Sequence, residues 1–379
     1  MTARERFLKI AHFELTDELF LSSYHQWFWY DALKRWVKEG APERILQDDY
    51  RAEYFGFDRV EVIPIISDML CLGKSFGPPY APPFVPLFER KILEEDERHR
   101  VVIDEGGRKI LEYKEQPERM TKWLEFPVKT KKDWDRIKKR LDPDSPERFP
   151  AWWEDRVKCW RKRDYPLGIA VGSFFGFLRE IVGLENLCVM YYDNPSLIHQ
   201  MNEWIEYFEL KILKRALVDL QFDFACFWED MAYNKGSLIS PKIFREFMMP
   251  YYNKITNLLR SHGTDVILVD SDGNTEELIP LWIESGINGQ FPLEVTAGID
   301  AVRLRKKFGK DFILIGNMDK RALIKGKQAI DEELKRKVPY LISQGGYFPA
   351  VDHFTPPEVT FQNYMYFIES LKEWVHVHR

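Results

Sequence analysis

The chain has 379 residues, of which 45% are hydrophobic and 15% aromatic, so it can bury a large core as one barrel or as two ordinary domains. Its net charge of -5, with acids and bases interspersed, forms neither the basic stripe of a nucleic-acid-binding protein nor the basic face of a membrane-surface protein. The sequence starts without the apolar core of a signal peptide, and no run approaches the roughly 18 apolar residues of a spanning helix. We therefore expect a cytoplasmic protein that binds neither nucleic acid nor membrane.

The cysteines lie far apart and include no C-x-x-C pair, which argues against a disulfide framework or a sulfur-rich zinc site. They are Cys71, Cys159, Cys188 and Cys226. We expect all of them to be reduced, and most of them to be packing residues.

The first part of the chain predicts a helix over 4–13, a short strand over 17–22 and a second strand over 60–66. The segment 24–30, YHQWFWY, is very aromatic, and a helical pattern follows it to Val37. Rings at this density fill a core more often than they line a pocket. The alternative is that Tyr24, Trp27 and Trp29 stack on a flat organic ligand.

Residues 67–164 are rich in proline, glycine and charge, and predict a long excursion from the main fold. Within it, 101–112 places Gly106 and Gly107 between two short apolar runs, which predicts a β-hairpin. The charged run 129–133 is typical of a solvated helix start.

After the excursion, strand and helix patterns alternate regularly, with long helical patterns at 196–220 and 240–261. The strand candidates are 167–172, 222–228, 266–270, 287–291, 312–315 and 347–351. With the two early strands they make eight, which favours an α/β fold, a (β/α)8 TIM-type barrel with a long insertion after the second strand. Residues 1–379 would be a single domain, with helix 4–13 outside the barrel and a helix over 358–374 closing it. No G-x-G-x-x-G and no Walker loop is present.

The apolar run 266–269 ends at Asp270, and Asp272 follows two residues later before Gly273. If the backbone stays extended, the two carboxylates project the same way, which is costly without a cation or a proton between them. The motif therefore indicates a metal or proton site, although such residues often only shape a turn. The spacing does not fit a calcium loop. It is also similar to the metal site of nucleotide-sugar glycosyltransferases, but no nucleotide site accompanies it.

The predicted strand ends carry many metal-binding side chains, and in a β/α barrel these ends meet at one mouth. They are Glu229, Asp230, Asp270, Asp272, Glu294, Asn317, Asp319, Asp352 and His353, with Phe174 after the third strand. Each alone is more often a cap or an ion-pair partner. Together, so many acids cannot all ionise without a counter-charge.

Several motifs resemble the uroporphyrinogen decarboxylase superfamily from about residue 165 to the C-terminus. They are GSFFGFLR at 172–179 with Val182 and Gly183, Glu229-Asp230, GSLISPKIFREF at 236–247, Asp270-Ser-Asp-Gly-Asn274, and GGYFPAVDH at 345–353 with Pro356 and Pro357. The resemblance implies a β/α barrel. It also implies one of two chemistries, which are cofactor-free decarboxylation of uroporphyrinogen and zinc-assisted methyl transfer to or from a corrinoid protein.

Two departures from the family pattern bear on the choice. The Arg-Gln-Ala-Gly-Arg-Tyr stretch, whose arginines hold substrate carboxylates in true decarboxylases, is replaced by the aromatic segment 24–30. The His-x-Cys-Gly motif of thiol-methylating members is replaced by Asp270-Ser-Asp-Gly273, while His353 stands near the position of the last zinc ligand. Oxygen and imidazole ligands keep zinc a hard Lewis acid, which suits an oxygen leaving group such as that of an aryl methyl ether.

The resulting hypothesis is metal-assisted methyl transfer from a small methylated substrate to a corrinoid protein. Zinc would be held by Asp270, Asp272 and His353, with Glu229, Asp230 and Asp272 as catalytic residues. The substrate would lie against Tyr24, Trp27, Trp29, Phe174 and Asn317. The alternative is a decarboxylase, or a relative that binds a tetrapyrrole or another carboxylated ligand.

Overall fold

The computed structural model describes residues 1–63, 84–114, 121–149 and 151–377. The strands in that part of the chain are β1 (Glu61–Ile63), β2 (Lys91–Glu95), β3 (His99–Ile103), β4 (Lys109–Tyr113), β5 (Lys122–Glu125), β6 (Leu167–Ala170), β7 (Phe224–Trp228), β8 (Ala232–Tyr233), β9 (Gly236–Ser237), β10 (Ile267–Asp270), β11 (Gly289–Phe291), β12 (Ile313–Ile315) and β13 (Tyr347–Phe348).

The α-helices are α1 (Ala3–Ala11), α2 (Tyr30–Lys38), α3 (Asp48–Phe55), α4 (Lys131–Lys138), α5 (Trp153–Trp160), α6 (Gly176–Val182), α7 (Leu184–Asp193), α8 (Pro195–Asp219), α9 (Pro241–Phe247), α10 (Met249–Ser261), α11 (Ile279–Glu284), α12 (Ala301–Phe308), α13 (Lys320–Lys325), α14 (Lys327–Gln344) and α15 (Phe361–Val377). The predicted helix over 240–261 is two helices, α9 and α10, and Pro250 stands in the first turn of the second. Proline has no N–H for a helical bond and is tolerated in a first turn.

The principal sheet is parallel and follows the chain in the order β1-β6-β7-β10-β11-β12-β13. Helices connect its strands from β6 onward, which is the predicted β/α barrel architecture, although the sheet has seven strands among the described residues instead of the eight predicted. The register aligns Asp270 with Trp228 on one side and with Phe291 on the other. The residues that follow β7, β10 and β11 therefore emerge together at the carboxyl edge of the sheet.

Alternate residues of these strands face two different cores. The inner core contains Phe224, Cys226, Leu268, Phe291, Ile313, Ile315 and Phe348. The outer core, between the sheet and the helices, contains Ala225, Phe227, Ile267, Val269, Leu314 and Tyr347. Because successive side chains point to opposite faces of a strand, near-continuous apolar runs are needed to fill both cores.

The strand predicted over 17–22 was wrong in detail, because the structure has only an isolated parallel bridge there, between Ser22 and Asp58. The Leu21 N–H donates to the Asp58 carboxylate at 2.8 Å, so a side chain takes a bond that a strand carbonyl would otherwise make. The ring of Phe20 lies 5.9 Å from that of Phe348 in β13. This extended segment thus lies between the first and last strands of the principal sheet.

We expected helix α1 to lie outside the barrel. Instead, it contributes Phe7 and Ile10 to the inner core. Arg4 bonds Asp223, which precedes β7, and the Ile10 carbonyl accepts from the N–H of Gly346, which precedes β13. The helix therefore covers the amino-terminal end of the strands, opposite the candidate site.

The excursion contains an antiparallel sheet in the order β2-β3-β4-β5, and the predicted hairpin forms with Val102 opposite Ile110. Helix α4 begins where the charged run predicted a helix start, with Thr130 capping Asp133. Residues 64–66 of the second predicted strand and 67–83 of the excursion, which include Cys71, lie outside the described residues. The other three cysteines are free thiols. Among the described residues, no helix is long and apolar enough to cross a membrane.

Candidate active site at the carboxyl edge of the barrel

The turn after β10 is shaped by carboxylates from neighbouring strand ends. The N–H of Asp272 donates to Asp230 Oδ1 at 3.0 Å, and the N–H of Gly273 donates to Glu294 Oε2 at 2.8 Å. Gly273 has a φ of +85°, and a Cβ there would lie 2.8 Å from the backbone of Tyr233. Glycine is required on both counts. The turn interpretation of the D-x-D-G motif is therefore correct as far as the backbone is concerned, while both aspartate side chains remain half-buried at the mouth.

Asp272, Glu294 and His353 each offer one ligand atom within 4.8 Å of the others. The imidazole Nε2 of His353 lies 3.2 Å from Asp272 Oδ1. Burial alone would lower the pKa of His353, but the carboxylates of Asp272 and Glu294 raise it overall. Burial and the charge of Asp272 raise the pKa of Glu294. The group thus holds negative charge that a cation would neutralise.

A second group within 4.8 Å consists of Asp230, Asp270 and Asp272. Burial and the Asp272 charge raise the pKa of Asp230, although Arg179 at 3.2 Å opposes the shift. Asp230 also has a φ of +46°, which is strained for a residue with a Cβ. Such strain is common at functional sites.

The predicted metal triad is therefore divided between two groups. Asp270 lies with Asp230, His353 lies with Glu294, and Asp272 belongs to both. Glu294 was recognised in the sequence only as one of many strand-end acids. Its position relative to His353 depends on a turn whose geometry the sequence pattern does not specify.

Glu229, expected to be catalytic, is fully buried and surrounded by donors. Its oxygens accept from the N–H groups of Phe174, Phe175 and Gly176 at 2.9–3.0 Å and from the hydroxyl of Tyr252. Burial raises the pKa of Glu229 to about 7, against the effect of these four donors. Because four donors occupy its lone pairs, Glu229 has no free position for a substrate and instead holds the start of α6.

Two predicted substrate-binding residues are also structural. Phe174 is completely buried and its ring lies 5.4 Å from that of Tyr251. Asn317 is completely buried, accepts from the N–H of Ala301 and donates to the carbonyls of Leu293 and Ile299. Their place at strand ends was predicted correctly, but both side chains turn into the protein instead of toward the mouth.

The predicted aromatic residues, in contrast, do lie next to the acids. Trp27 is 5.9 Å from His353 and 5.4 Å from Phe354, and Trp29 is 5.0 Å from Phe354. Trp29 is 40% exposed, so one face is open to a ligand. Tyr24 lies deeper, 5.8 Å from Phe291. We call Trp27, Trp29 and Phe354 the aromatic wall.

Two basic residues at the mouth were missed in the sequence. Arg179 donates to the carbonyl and the carboxylate of Asp230, and Lys320 Nζ lies 3.8 Å from the buried Asp352. Asp352 also accepts from the N–H groups of Val295 and Lys320, and Asp319 caps α13. Asp319 and Asp352 therefore hold loops together, with Arg179 and Lys320 balancing part of the negative charge.

Comparison with known proteins agrees with this architecture. Uroporphyrinogen decarboxylase from Pseudomonas savastanoi pv. phaseolicola is 29% identical over 194 residues, 48% of this chain and 50% of that protein. The same enzyme from Alcanivorax borkumensis is 27% identical over 199 residues, 50% of this chain and 52% of its own length. The matches span about half the length of these relatives.

Among solved structures, a methyltransferase from Methanosarcina mazei aligns over 99% of both chains with a TM-score of 0.63 and 15% sequence identity. At that identity the likeness shows the fold alone. The model of the family described as uroporphyrinogen decarboxylase (URO-D) matches residues 111–374. That range is well over half of the sequence, and the chain belongs to the uroporphyrinogen decarboxylase family.

Proposed function

We propose that this protein transfers a methyl group from a small methylated substrate, such as an aryl methyl ether, to a corrinoid protein. The observation that carries the proposal is the convergence of Asp272, Glu294 and His353 beside the aromatic wall. These side chains combine metal-ligating atoms with a surface for a flat ring, and both are what ether demethylation requires.

The donor set fits zinc. One imidazole nitrogen and two carboxylate oxygens are common ligands of catalytic zinc, which leaves one coordination position for a substrate. When bound, the metal would act as a Lewis acid toward the ether oxygen. Asp270 lies in the neighbouring group with Asp230 and Asp272, and its carboxylate would offset part of the positive charge of the metal without being a ligand.

Asp230 supplies the proton in this proposal. Burial raises the pKa of Asp230 above its ordinary value, and Arg179 holds its Oδ2 in place. The corrinoid of the partner protein would supply a Co(I) nucleophile whose electron pair forms the bond to the methyl group, and a proton from Asp230 would neutralise the oxygen that keeps the electrons of the broken ether bond. The products on this side of the reaction would be a phenol and an ionised Asp230, whose negative charge lies beside Arg179.

The aromatic wall would bind the ring and exclude water from the acids. The rings of Trp27 and Trp29 are each tilted by 35° to the ring of Phe354, at centroid distances of 5.4 and 5.0 Å, so the three rings pack as one cluster. Stacking on aromatic rings tolerates different substituents on the bound ring. Of the two interpretations of the aromatic segment, we therefore favour a pocket over a core for Trp27 and Trp29.

Decarboxylation of a carboxylated tetrapyrrole is the second candidate, and family membership favours it. However, the acids at the mouth would repel a polycarboxylate. Arg179 and Lys320, the two basic residues named above at the mouth, are already paired with Asp230 and Asp352. We therefore rank this activity second.

The test is zinc binding and methyl transfer by Asp272→Asn compared with Asp311→Asn, which changes an exposed carboxylate far from the mouth. We expect Asp272→Asn to lower zinc affinity by more than about a hundredfold and to abolish methyl transfer, while Asp311→Asn behaves as wild type. Wild-type protein that binds no zinc and transfers no methyl group from any of a panel of methoxylated arenes would overturn the proposal.

A further inference from the structure

A small cavity lies below the aromatic wall, inside the carboxyl edge of the barrel. It is lined by His25, Trp27, Phe291, Pro292, Ile315, Gly316, Ala350 and Val351, and it has room for about one water-sized group. Apart from the imidazole of His25, its walls are mostly apolar side chains. A cavity of this composition offers few hydrogen-bonding positions.

His25 is 6% exposed, and its Nε2 has no hydrogen-bond partner among the described residues. The other ring nitrogen, Nδ1, lies 2.8 Å from the hydroxyl of Ser22. The ring packs edge-to-face on Phe291 with centroids 4.5 Å apart, which fixes its orientation. Leaving a buried polar atom unpaired costs free energy, so Nε2 requires a partner beyond the described residues, and the adjoining cavity has room for one.

The imidazole is neutral, since burial lowers the pKa of His25 to about 3. A neutral imidazole has one N–H donor and one acceptor, and the bond to Ser22 can be made in either sense. Nε2 therefore either donates or accepts. A hydroxyl group suits both cases because it can accept or donate, and it has the size of the water that the cavity admits.

The indole of Trp27 borders both this cavity and the candidate metal group. Its ring lies 5.8 Å from Phe291 and 5.9 Å from His353. A ligand lying along Trp27 could therefore place one substituent in the cavity and another beside Asp272.

We infer that His25 is a specificity-determining residue that binds a neutral hydroxyl group of the substrate. The inference rests on the proposed function for the identity of the second, methylated substituent. The binding of the hydroxyl itself is independent of that reaction. The substrate class is then a hydroxylated arene that also carries the methylated oxygen.

Phenol, anisole and benzene are suitable probes, with binding followed by calorimetry. We expect wild-type protein to bind phenol about five- to tenfold more tightly than anisole or benzene. His25→Phe should lose that preference, and His25→Gln, which keeps a donor and an acceptor, should retain part of it. Circular dichroism establishes that each variant is folded.

Equal binding of the three probes by wild-type protein, or an unchanged phenol preference in His25→Phe, would overturn the inference and mean that the cavity holds only water. A variant that unfolds is replaced by observation of the His25 ring nitrogens in wild-type protein by NMR, where phenol but not benzene must shift the Nε2 resonance. Wild-type protein that prefers phenol but transfers no methyl group would contradict the proposed function and leave the inference about His25 standing.

Discussion

His353 and Glu294 lie beside Asp272, and any proton that either side chain holds must leave before it can ligate a metal. The carboxylates around His353 raise its pKa, and burial with the Asp272 charge raises that of Glu294. A metal ligates neutral imidazole and ionised carboxylate, so binding releases these protons. Zinc affinity should therefore rise with pH by about tenfold per pH unit while His353 is protonated, and the rise should level off only above about pH 6.5, the ordinary pKa of histidine. Chelator competition at several pH values measures this slope, and affinity that is independent of pH across this range would exclude His353 as a ligand.

Glu229 gives a residue-scale prediction about stability. Replacing it with glutamine puts a carboxamide NH2 against N–H and O–H donors that now bond both carboxylate oxygens. We expect Glu229→Gln to lower the free energy of unfolding by about 2–3 kcal/mol, as measured with denaturant. The exposed Glu203→Gln on α8 should change it by less than about 0.5 kcal/mol. Equal values for the two variants would mean that Glu229 does not hold α6.

The direction of single side chains was the part of the site that the sequence could not predict. The carboxyl ends of β7, β10, β11 and β12 were located correctly, since apolar runs stop where the chain reaches the edge of the sheet, whereas β6 and β13 end two and three residues before the predicted ends at 172 and 351. Whether an acid or amide then faces the mouth depends on donors far away in sequence. Asn317 turns inward to the carbonyls of Leu293 and Ile299, and Glu229 to the start of α6.

At the scale of elements, the antiparallel sheet of the excursion is attached to the barrel through buried charges. Arg108 pairs with Asp104 at 2.8 Å and also contacts Glu180 of α6. Glu180 lies next to Arg179, which holds Asp230. The excursion therefore reaches the candidate site through three successive ion pairs.

Substituting Arg108 with methionine leaves the buried Asp104 without its cation, and leaves the buried Glu180 with only the longer contact to Arg179, at 3.6 Å. We expect Arg108→Met to destabilise the protein by about 3–5 kcal/mol, since breaking a buried pair leaves an uncompensated charge. Arg90→Met, which removes a partly exposed pair with Glu112 in the same sheet, should cost less than about 1 kcal/mol. Thermal or denaturant unfolding of both variants gives the comparison, and a mild effect of Arg108→Met would mean that the excursion is held mainly by apolar packing.

Element boundaries show which local signals were sufficient. The hairpin at β3 and β4 followed from its glycines, and the start of α4 from the charged run. The segment 17–22 was misread because its apolar residues fit a strand, while the Asp58 carboxylate that takes the Leu21 N–H lies 37 residues away. The residues around 17–22 do not show that a distant side chain will take a backbone hydrogen bond that a strand would need.

For the whole molecule, closure of the amino-terminal end depends on Phe7. Its ring lies 5.4 Å from Phe224 and 5.1 Å from Phe348, and so bridges two strands of the barrel. Phe7→Ala should destabilise the protein by about 3–5 kcal/mol through the cavity it leaves. Leu8→Ala on the same helix removes a half-buried side chain and should cost clearly less. If the two variants unfold at the same denaturant concentration, α1 does not close the barrel.

The architecture itself was predictable because it depends on repetition. Strand and helix patterns recur from residue 167 onward, and an error in one element does not alter the others. The interior position of α1 was not predictable in this way, since an amphipathic helix can cover either the outside or the end of a barrel.

The proposed function of this barrel is methyl transfer. The most direct measurement follows two products from one preparation of zinc-loaded protein, which are methylcobalamin formed from cob(I)alamin with a hydroxylated methoxyarene, and carbon dioxide released from uroporphyrinogen. We predict methylcobalamin formation that is lost in Asp272→Asn and retained in Asp311→Asn, with no carbon dioxide. Release of carbon dioxide without methyl transfer would contradict the account.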